Sequence, residues 1–435
     1  MKVLVVGSGG REHALVWKIA DSPLVDRIFC APGNAGIAEI AECVNIAATD
    51  ILRLRKFARE NSIELTVVGP EAPLVKGIVD AFEAAGLRAF GPNQQAARLE
   101  GSKVFAKQLM QRHSIPTAPF RTFNAPERAK SYLDMVGPPV VVKADGLAAG
   151  KAAIVCKSLK HAYEAIDRIM IRKEFGEAGE QVVIEGCLSG EEASMIAFTD
   201  GRTIAVLPST QDHKAIYDGD QGPNTGGMGA FSPTPLITDD LAGQIEREVL
   251  VQAVHAMNRE DKSYRGALYA GIMVTKDGPQ VLEFNCRLGD PETQPLFMRM
   301  ESDLVPVLLA ALDGTLEDME VQWDRRPALC VVMASGGYPG SHRNGLPIEG
   351  LEDAAKMEDV MVFHAGTATE EGRIVTSGGR VLGVTARGRT IKEAKDRAYE
   401  AVKNIHFERA YYRTDIGQKA IDRLEAGDGE TELVM

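Results

Sequence analysis

Residues 281–295 read VLEFNCRLGDPETQP, and the fold is decided there. Hydrophobic and polar residues alternate along 281–285, which predicts a strand with Leu282 and Phe284 turned into a core. Glu283 and Asn285 then share the opposite face, about 7 Å apart along the strand. Two hard oxygen donors on one face suit Mg2+, which takes few protein ligands and fills its octahedron with water and nucleotide phosphates; Mn2+ accepts the same oxygen set. A carboxylate beside an amide is otherwise unremarkable on an exposed strand. The polar run from Arg287 to Gln294 is denser than a plain connection needs, and Arg287 offers a planar fork for a carboxylate or phosphate.

Upstream, a second strand is predicted at Val140–Ala144, where Val141 and Lys143 face away from Val140 and Val142. Lys143 either reaches solvent at the strand end or meets phosphate, because a flexible loop from Gly146 through Gly150 to Lys151 follows it directly. This loop has three residues between its glycines, and Ala152 stands where a P-loop needs Ser or Thr, so it is not a P-loop. The strand Gln181–Ile184 runs into Glu185-Gly186-Cys187-Leu188, with Gly190-Glu191-Glu192 just beyond. Such a segment can offer backbone to an adenine edge and a carboxylate to a ribose, or be a solvated turn.

The opening GSGGRE at 7–12 starts like a dinucleotide fingerprint, but Glu12 occupies the third glycine position. Cys30-Ala31-Pro32-Gly33-Asn34 stands where an acidic residue should end the second strand, so NAD binding is not expected. Bare amides at this helix start leave either a phosphate contact or a tight turn.

The first hundred residues alternate short β-branched runs (Val3–Val6, Ile28–Ala31, Leu65–Val68, Arg88–Phe90) with helical patterns, which predicts a parallel sheet with crossover helices. Leu74, Ile78 and Phe82 predict one helix capped near Gly86. The expected organisation is an α/β and α+β multidomain chain. It comprises an α/β domain over 1–101, a mixed domain over 102–322, a further mixed α+β domain over 323–425, and a disordered acidic tail over 426–435. Helices are expected after Ser158, after Thr238 and after the capping box Thr390-x-x-Glu393.

A formal charge of −12 without any basic block argues against nucleic acid as a partner. The first residues form no signal peptide, and no run approaches a membrane span, so a cytoplasmic location without membrane contact is expected. Six cysteines lie far apart without a C-x-x-C pair, as buried free thiols would.

Several stretches carry a resemblance over nearly the whole chain: GGREHAL at 9–15, APGNAG at 31–36, VGPEAPLV at 68–75, LEGSK at 99–103, VKADGLAAGK at 142–151, GEEAS at 190–194, QDHK at 211–214, GPNTGGMGA at 222–230 and EFNCRLGDPETQP at 283–295. With these the sequence resembles the ATP-grasp superfamily and, within it, the phosphoribosylamine-glycine ligases. The resemblance implies an ATP-grasp core with a lid subdomain at about 120–190, ATP as substrate, Mg2+ as cofactor, and glycine and 5-phosphoribosylamine as the other small-molecule partners of a monomer. It implies that Lys103 and Lys143 contact ATP phosphates, with Lys143 and Arg287 serving catalysis. The loop Gly146, Gly150 and Lys151 covers the phosphates, Glu185 and Leu188 line the adenine hinge, and Glu192 meets the ribose. By the same resemblance Glu283 and Asn285 are expected to hold the metal. Arg287 is the candidate for the glycine carboxylate and Asp212 for an amino group, with Lys214 and Asp290 in the same cleft. The resemblance also implies that Gly9, Gly10, Arg11, Asn34 and Glu71 face the phosphoribosyl part. The sequence departs from the family at Ala152 and Leu288, and Tyr269–Ile272 offers no acidic ligand. Another ATP-grasp ligase, or a nucleotide-binding regulator without catalysis, is the alternative.

Overall fold

The computed structural model describes residues 1–147 and 153–427. The N-terminal domain is a five-stranded all-parallel sheet in the order Glu42–Cys43, Arg27–Pro32, Lys2–Gly7, Leu65–Val68, Ala89–Phe90. Leu4 and Val6 pack into one hydrophobic cluster and Val3 and Val5 into another. Both sheet faces are therefore covered, which is why its strands read as continuous apolar runs. Only the edge strand Glu42–Cys43 was not anticipated; with two residues it has no periodicity. The expected single helix over 74–82 is two, Glu71–Val75 and Ile78–Glu83, separated at Gly77, whose φ of 83° ends the first of them in a left-handed conformation.

A small antiparallel sheet (Phe120–Phe123, Val182–Gly186, Val140–Ala144, Ala153–Cys156) carries the helices Pro126–Val136 and Leu159–Ile166. Ser158 caps the second helix by accepting from the His161 amide. This unit has its own core, built on Leu133, Val142, Ile166 and Ile184.

Beside it lies a four-stranded antiparallel sheet in the order Ile204–Val206, Glu191–Thr199, Gly266–Thr275, Gly278–Asn285. Gly271 pairs with Glu283 but Ile272 pairs with Val281, so Leu282 is the extra residue of a bulge. The simple alternation expected at 281–285 is thereby corrected: Val281 and Phe284 are core residues, and Leu282 is only half-buried.

A second five-stranded sheet runs Gln211–Asp212, Gly229–Ser232, Ala328–Ala334, Arg380–Arg387, Val360–His364. It crosses the boundary expected at residue 323, because its first two strands come from the middle of the chain. The helix Ile391–Asn404 packs on it through Ala394, Ala398 and Ala401. Thr390 caps that helix as expected, but the Glu393 carboxylate accepts from the Arg389 amide, one residue before the cap. The tail expected to be disordered falls, for residues 428–435, outside the described residues.

The N-terminal and C-terminal domains meet at a histidine pair. His13, on the helix Gly10–Ala20, accepts the His364 amide on Nδ1 at 2.7 Å, and Trp17 packs edge-on against Phe363 with ring centroids 5.7 Å apart. No helix among the described residues is long and apolar enough to cross a membrane.

Candidate active site

Three elements converge on Glu283. The helix Lys103–Arg112 is capped by Ser102, whose hydroxyl accepts from the Phe105 amide, and its first turn is met by the Asp145 carboxylate, which accepts from the Val104 amide at 3.0 Å. A negative charge there complements the helix dipole and ties the small antiparallel unit to the helix. Lys103 then donates to the Gly146 carbonyl at 2.9 Å, and Lys143 donates to the carbonyl of the bulged Leu282 at 3.0 Å. The bulge thus presents a backbone acceptor to the strand-end lysine. Gly150 and Lys151 lie outside the described residues.

The Glu283 carboxylate makes no ion pair among the described residues. Burial would raise its pKa, but Lys143 and Lys103, with smaller contributions from Lys214 and Arg287, hold it below the usual carboxylate range. It is an anion in a ring of cations. Gly271 stands opposite it and brings no side chain against it. Asn285 accepts from Arg287 Nη2 at 3.2 Å, and its oxygen keeps a second lone pair. Two hard oxygens with open lone pairs fit Mg2+ if a ligand completes the shell; the described residues hold no cluster of three or more His, Cys, Asp or Glu that would bind a metal alone.

Arg287 is not the open fork its sequence suggests. Its guanidinium lies 3.3 Å from Glu71 and 3.2 Å from Glu100, and it also donates to Asn285 and to the Leu288 carbonyl. Burial opposes its charge, yet Glu100 and Glu71 more than offset this and raise its pKa. A bidentate clamp on a substrate carboxylate would have to displace one of these glutamates. In this structure Arg287 instead orients Asn285. Glu100, which also accepts the Cys286 amide at 2.7 Å, was missed as a site residue although it sits in the LEGSK stretch.

At the N-terminal loop, Glu12 does what the missing glycine could not. Its carboxylate accepts the Gly9 amide at 2.5 Å and pairs with Arg11 at 2.6 Å, filling the anion position of the helix start with the protein's own charge. Arg11 also donates to the Leu288 carbonyl. Asn34 donates to the carbonyls of Ser8 and His364 and accepts from the Ile37 amide, so its side chain is a joint rather than a free ligand. Gly10 lies under Gln294, and Asp290 is held by Gln294 and by Arg380, whose Nη2 is 3.1 Å from it. Burial raises the Asp290 pKa, but Arg380 and Arg11 bring it below normal. Arg380, another missed residue, also donates to the Gly226 carbonyl at 2.7 Å, which joins the 222–230 and 287–294 loops.

A third cluster holds Asp212, whose carboxylate is 2.8 Å from Lys214, with Glu192 on the other side of that lysine at 3.2 Å. Burial works against the Lys214 charge, and Asp212 and Glu192 raise its pKa well above normal. Tyr269 donates to Glu292 at 2.9 Å; burial first, then Asp212, push Glu292 up to about 7.

Glu185 differs most from expectation. Its carboxylate lies between Lys143 and Lys107, each 2.5 Å away, and is only 4% exposed. Leu188 follows the strand end, half-buried. Lys107 was legible only as the residue one helical turn after Lys103.

Comparison with known proteins bears on this geometry. Three family models match: "Phosphoribosylglycinamide synthetase, N domain" over 1–100, its ATP-grasp (A) domain over 101–293 and its C domain over 328–419. Among similar relatives, the phosphoribosylamine-glycine ligase of Rhodopirellula baltica is 53% identical over 426 residues, covering 96% of this chain and 98% of that one. The Escherichia coli O157:H7 ligase is 52% identical over 427 residues, covering 97% and 99%. The crystal structure of the Thermotoga maritima ligase superposes with a TM-score of 0.84 at 35% identity, covering 96% of this chain and all of that one. A biotin carboxylase from Campylobacter jejuni, at 14% identity and a TM-score of 0.73 over 94% of this chain and 92% of its own, shares the fold alone. With its three consecutive domains matched and the carboxylate strand, paired lysines and capped N-terminal loop in place, the chain belongs to the phosphoribosylglycinamide synthetase family.

Proposed function

We propose that the chain joins glycine to 5-phosphoribosylamine with the conversion of ATP to ADP and phosphate, giving glycinamide ribonucleotide for de novo purine biosynthesis. The observation that carries this reading is the Glu283 carboxylate, unpaired among the described residues and facing Lys103 and Lys143, in a chain similar to named ligases over its full length. In the first step a glycine carboxylate oxygen attacks the γ-phosphorus, forming glycyl phosphate and releasing ADP. In the second, the phosphoribosylamine nitrogen attacks the acyl carbon, loses a proton and expels phosphate.

Lys103 and Lys143 place two ammonium groups where charge on the transferring phosphoryl group needs offsetting. Glu283 and Asn285 would hold Mg2+, which when bound neutralises phosphate charge. Arg287 fixes the direction of the Asn285 amide. Asp212, Lys214 and Glu192 supply the charged wall expected to seat an amino group and a ribose, while Gly9, Gly10, Arg11, Glu71 and Asp290 form the phosphoribosyl end. The unit at about 120–190, with its separate core, is the lid; closed, it excludes the water that would hydrolyse the acyl phosphate.

The test is ADP release from the purified chain, which should require glycine, phosphoribosylamine and Mg2+ together. Equal release with other carboxylates would overturn the substrate assignment. Glu283→Gln should lower kcat on the order of 10²-fold with an unchanged circular dichroism spectrum; wild-type turnover in that variant would remove Glu283 from the metal site.

A further inference from the structure

The mechanism leaves Lys107 without a role, although its ammonium is among the most deeply buried charges in the protein. It is 2% exposed, and burial, with Glu185 opposing, brings its pKa down to about 8. It meets Glu185 Oε2 at 2.5 Å and donates to Thr117 Oγ1 at 2.6 Å. Thr117 Oγ1 in turn donates to the Val281 carbonyl at 2.7 Å, and Lys143, on Glu185 Oε1, donates to the Leu282 carbonyl. These contacts close a circuit. It joins the helix Lys103–Arg112, two strands of the small antiparallel unit, and the Glu283 strand at its bulge.

We infer that Lys107 is a positioning residue: it is the standing counter-ion of Glu185, and by filling that role it leaves Lys143 free to turn to the phosphates of an arriving nucleotide. This rests on the proposed function, which gives Lys143 to the phosphates. Two ammonium groups share one carboxylate, so the cluster carries one excess positive charge. Lys107 is enclosed by Glu185 and a neutral hydroxyl, which leaves Lys143, the cation that acts most strongly on Glu283, to offer that excess. Without Lys107, Glu185 and Lys143 would form a neutral buried pair. A nucleotide would then have to strip Lys143 from its counter-ion and leave a bare buried carboxylate behind.

Four variants of the full chain decide this: Lys107→Met, Lys107→Arg, Lys107→Met with Glu185→Gln, and Lys143→Met. ADP affinity is measured by calorimetry, and KM for ATP and kcat in the complete reaction. Lys107→Met should weaken ADP binding and raise the ATP KM by about 10- to 100-fold while the glycine KM stays within about twofold. Lys107→Arg should retain most of the affinity, and adding Glu185→Gln to Lys107→Met should restore much of it, because the uncharged amide no longer holds Lys143. ADP binding within about twofold of wild type in Lys107→Met would overturn the inference. A loss that Glu185→Gln does not relieve would also overturn it, since that would mark simple misfolding around a cavity. If Lys143→Met fails to weaken ADP binding, the phosphate role of Lys143 itself falls; if it weakens binding while Lys107→Met does not, only the inference about Lys107 falls.

Discussion

Replacing His13 by asparagine should flatten the acid sensitivity of the joint between the N-terminal and C-terminal domains. Burial, reinforced by His364, brings the His13 pKa down to about 3, and burial brings His364 to about 4. An unfolded histidine titrates near 6.5. Between about pH 6.5 and pH 4 the unfolded segment therefore binds protons that the folded one refuses, and stability is lost as pH falls. At pH 5 the gap from 6.5 is about 1.5 pH units, which at 1.36 kcal/mol per unit is about 2 kcal/mol for each histidine. The asparagine introduced by His13→Asn keeps an oxygen to accept the His364 amide but does not titrate. The stability lost between pH 7 and pH 5 should thus be smaller in that variant by about 2 kcal/mol, whatever the other groups contribute. Trp17, packed on Phe363 beside the joint, reports its opening, so urea titrations followed by fluorescence in a Trp323→Phe background isolate the local event. Equal losses in the parent and His13→Asn would refute the reasoning, because they would mean that His13 is not held neutral.

Two further substitutions probe the site. Arg287→Ala leaves the buried Glu100 and Glu71 facing each other with only Arg11 to offset their charge, and should cost about 3–5 kcal/mol in chemical denaturation, with partial recovery in Arg287→Lys. Gly69→Ala would put a methyl group 2.1 Å from Glu12 Oε1, forcing that carboxylate off the Gly9 amide. A loss of about 1–3 kcal/mol is expected, with a raised KM for phosphoribosylamine and an unchanged KM for ATP in steady-state assays.

The parallel sheet was legible because burial on both faces leaves nearly unbroken runs such as Val3–Val6, and the Glu283 strand because a carboxylate interrupts an apolar alternation. Leu282 was misplaced for a definite reason: a bulge adds a residue without altering composition, and its cause is the pairing partner Gly266–Thr275. Arg287 was recognised as a fork, but whether a fork is open depends on who reaches it, and Glu71 reaches it from 216 positions upstream. Arg380 was missed on the same ground, since its partner Asp290 lies 90 positions away. Lys107 sat one turn from Lys103 in plain view. What hid it was that its purpose depends on Glu185, a residue on another element altogether.

The strand Gly229–Ser232 has one neighbour, Gln211–Asp212, that precedes it and another, Ala328–Ala334, that follows it. During synthesis that second neighbour emerges roughly a hundred residues later, a delay of about 5–20 s at 5–20 residues/s. For that interval Phe231 and its flanking amides form an open edge on the nascent chain, a place for a chaperone to bind or for two polysome neighbours to stick together. A premature stop near residue 323 would not release a tidy nucleotide-binding fragment; it would strand that edge for good. Truncated products of this gene are therefore expected in inclusion bodies, and a two-piece version of the protein should assemble only if both pieces are made together.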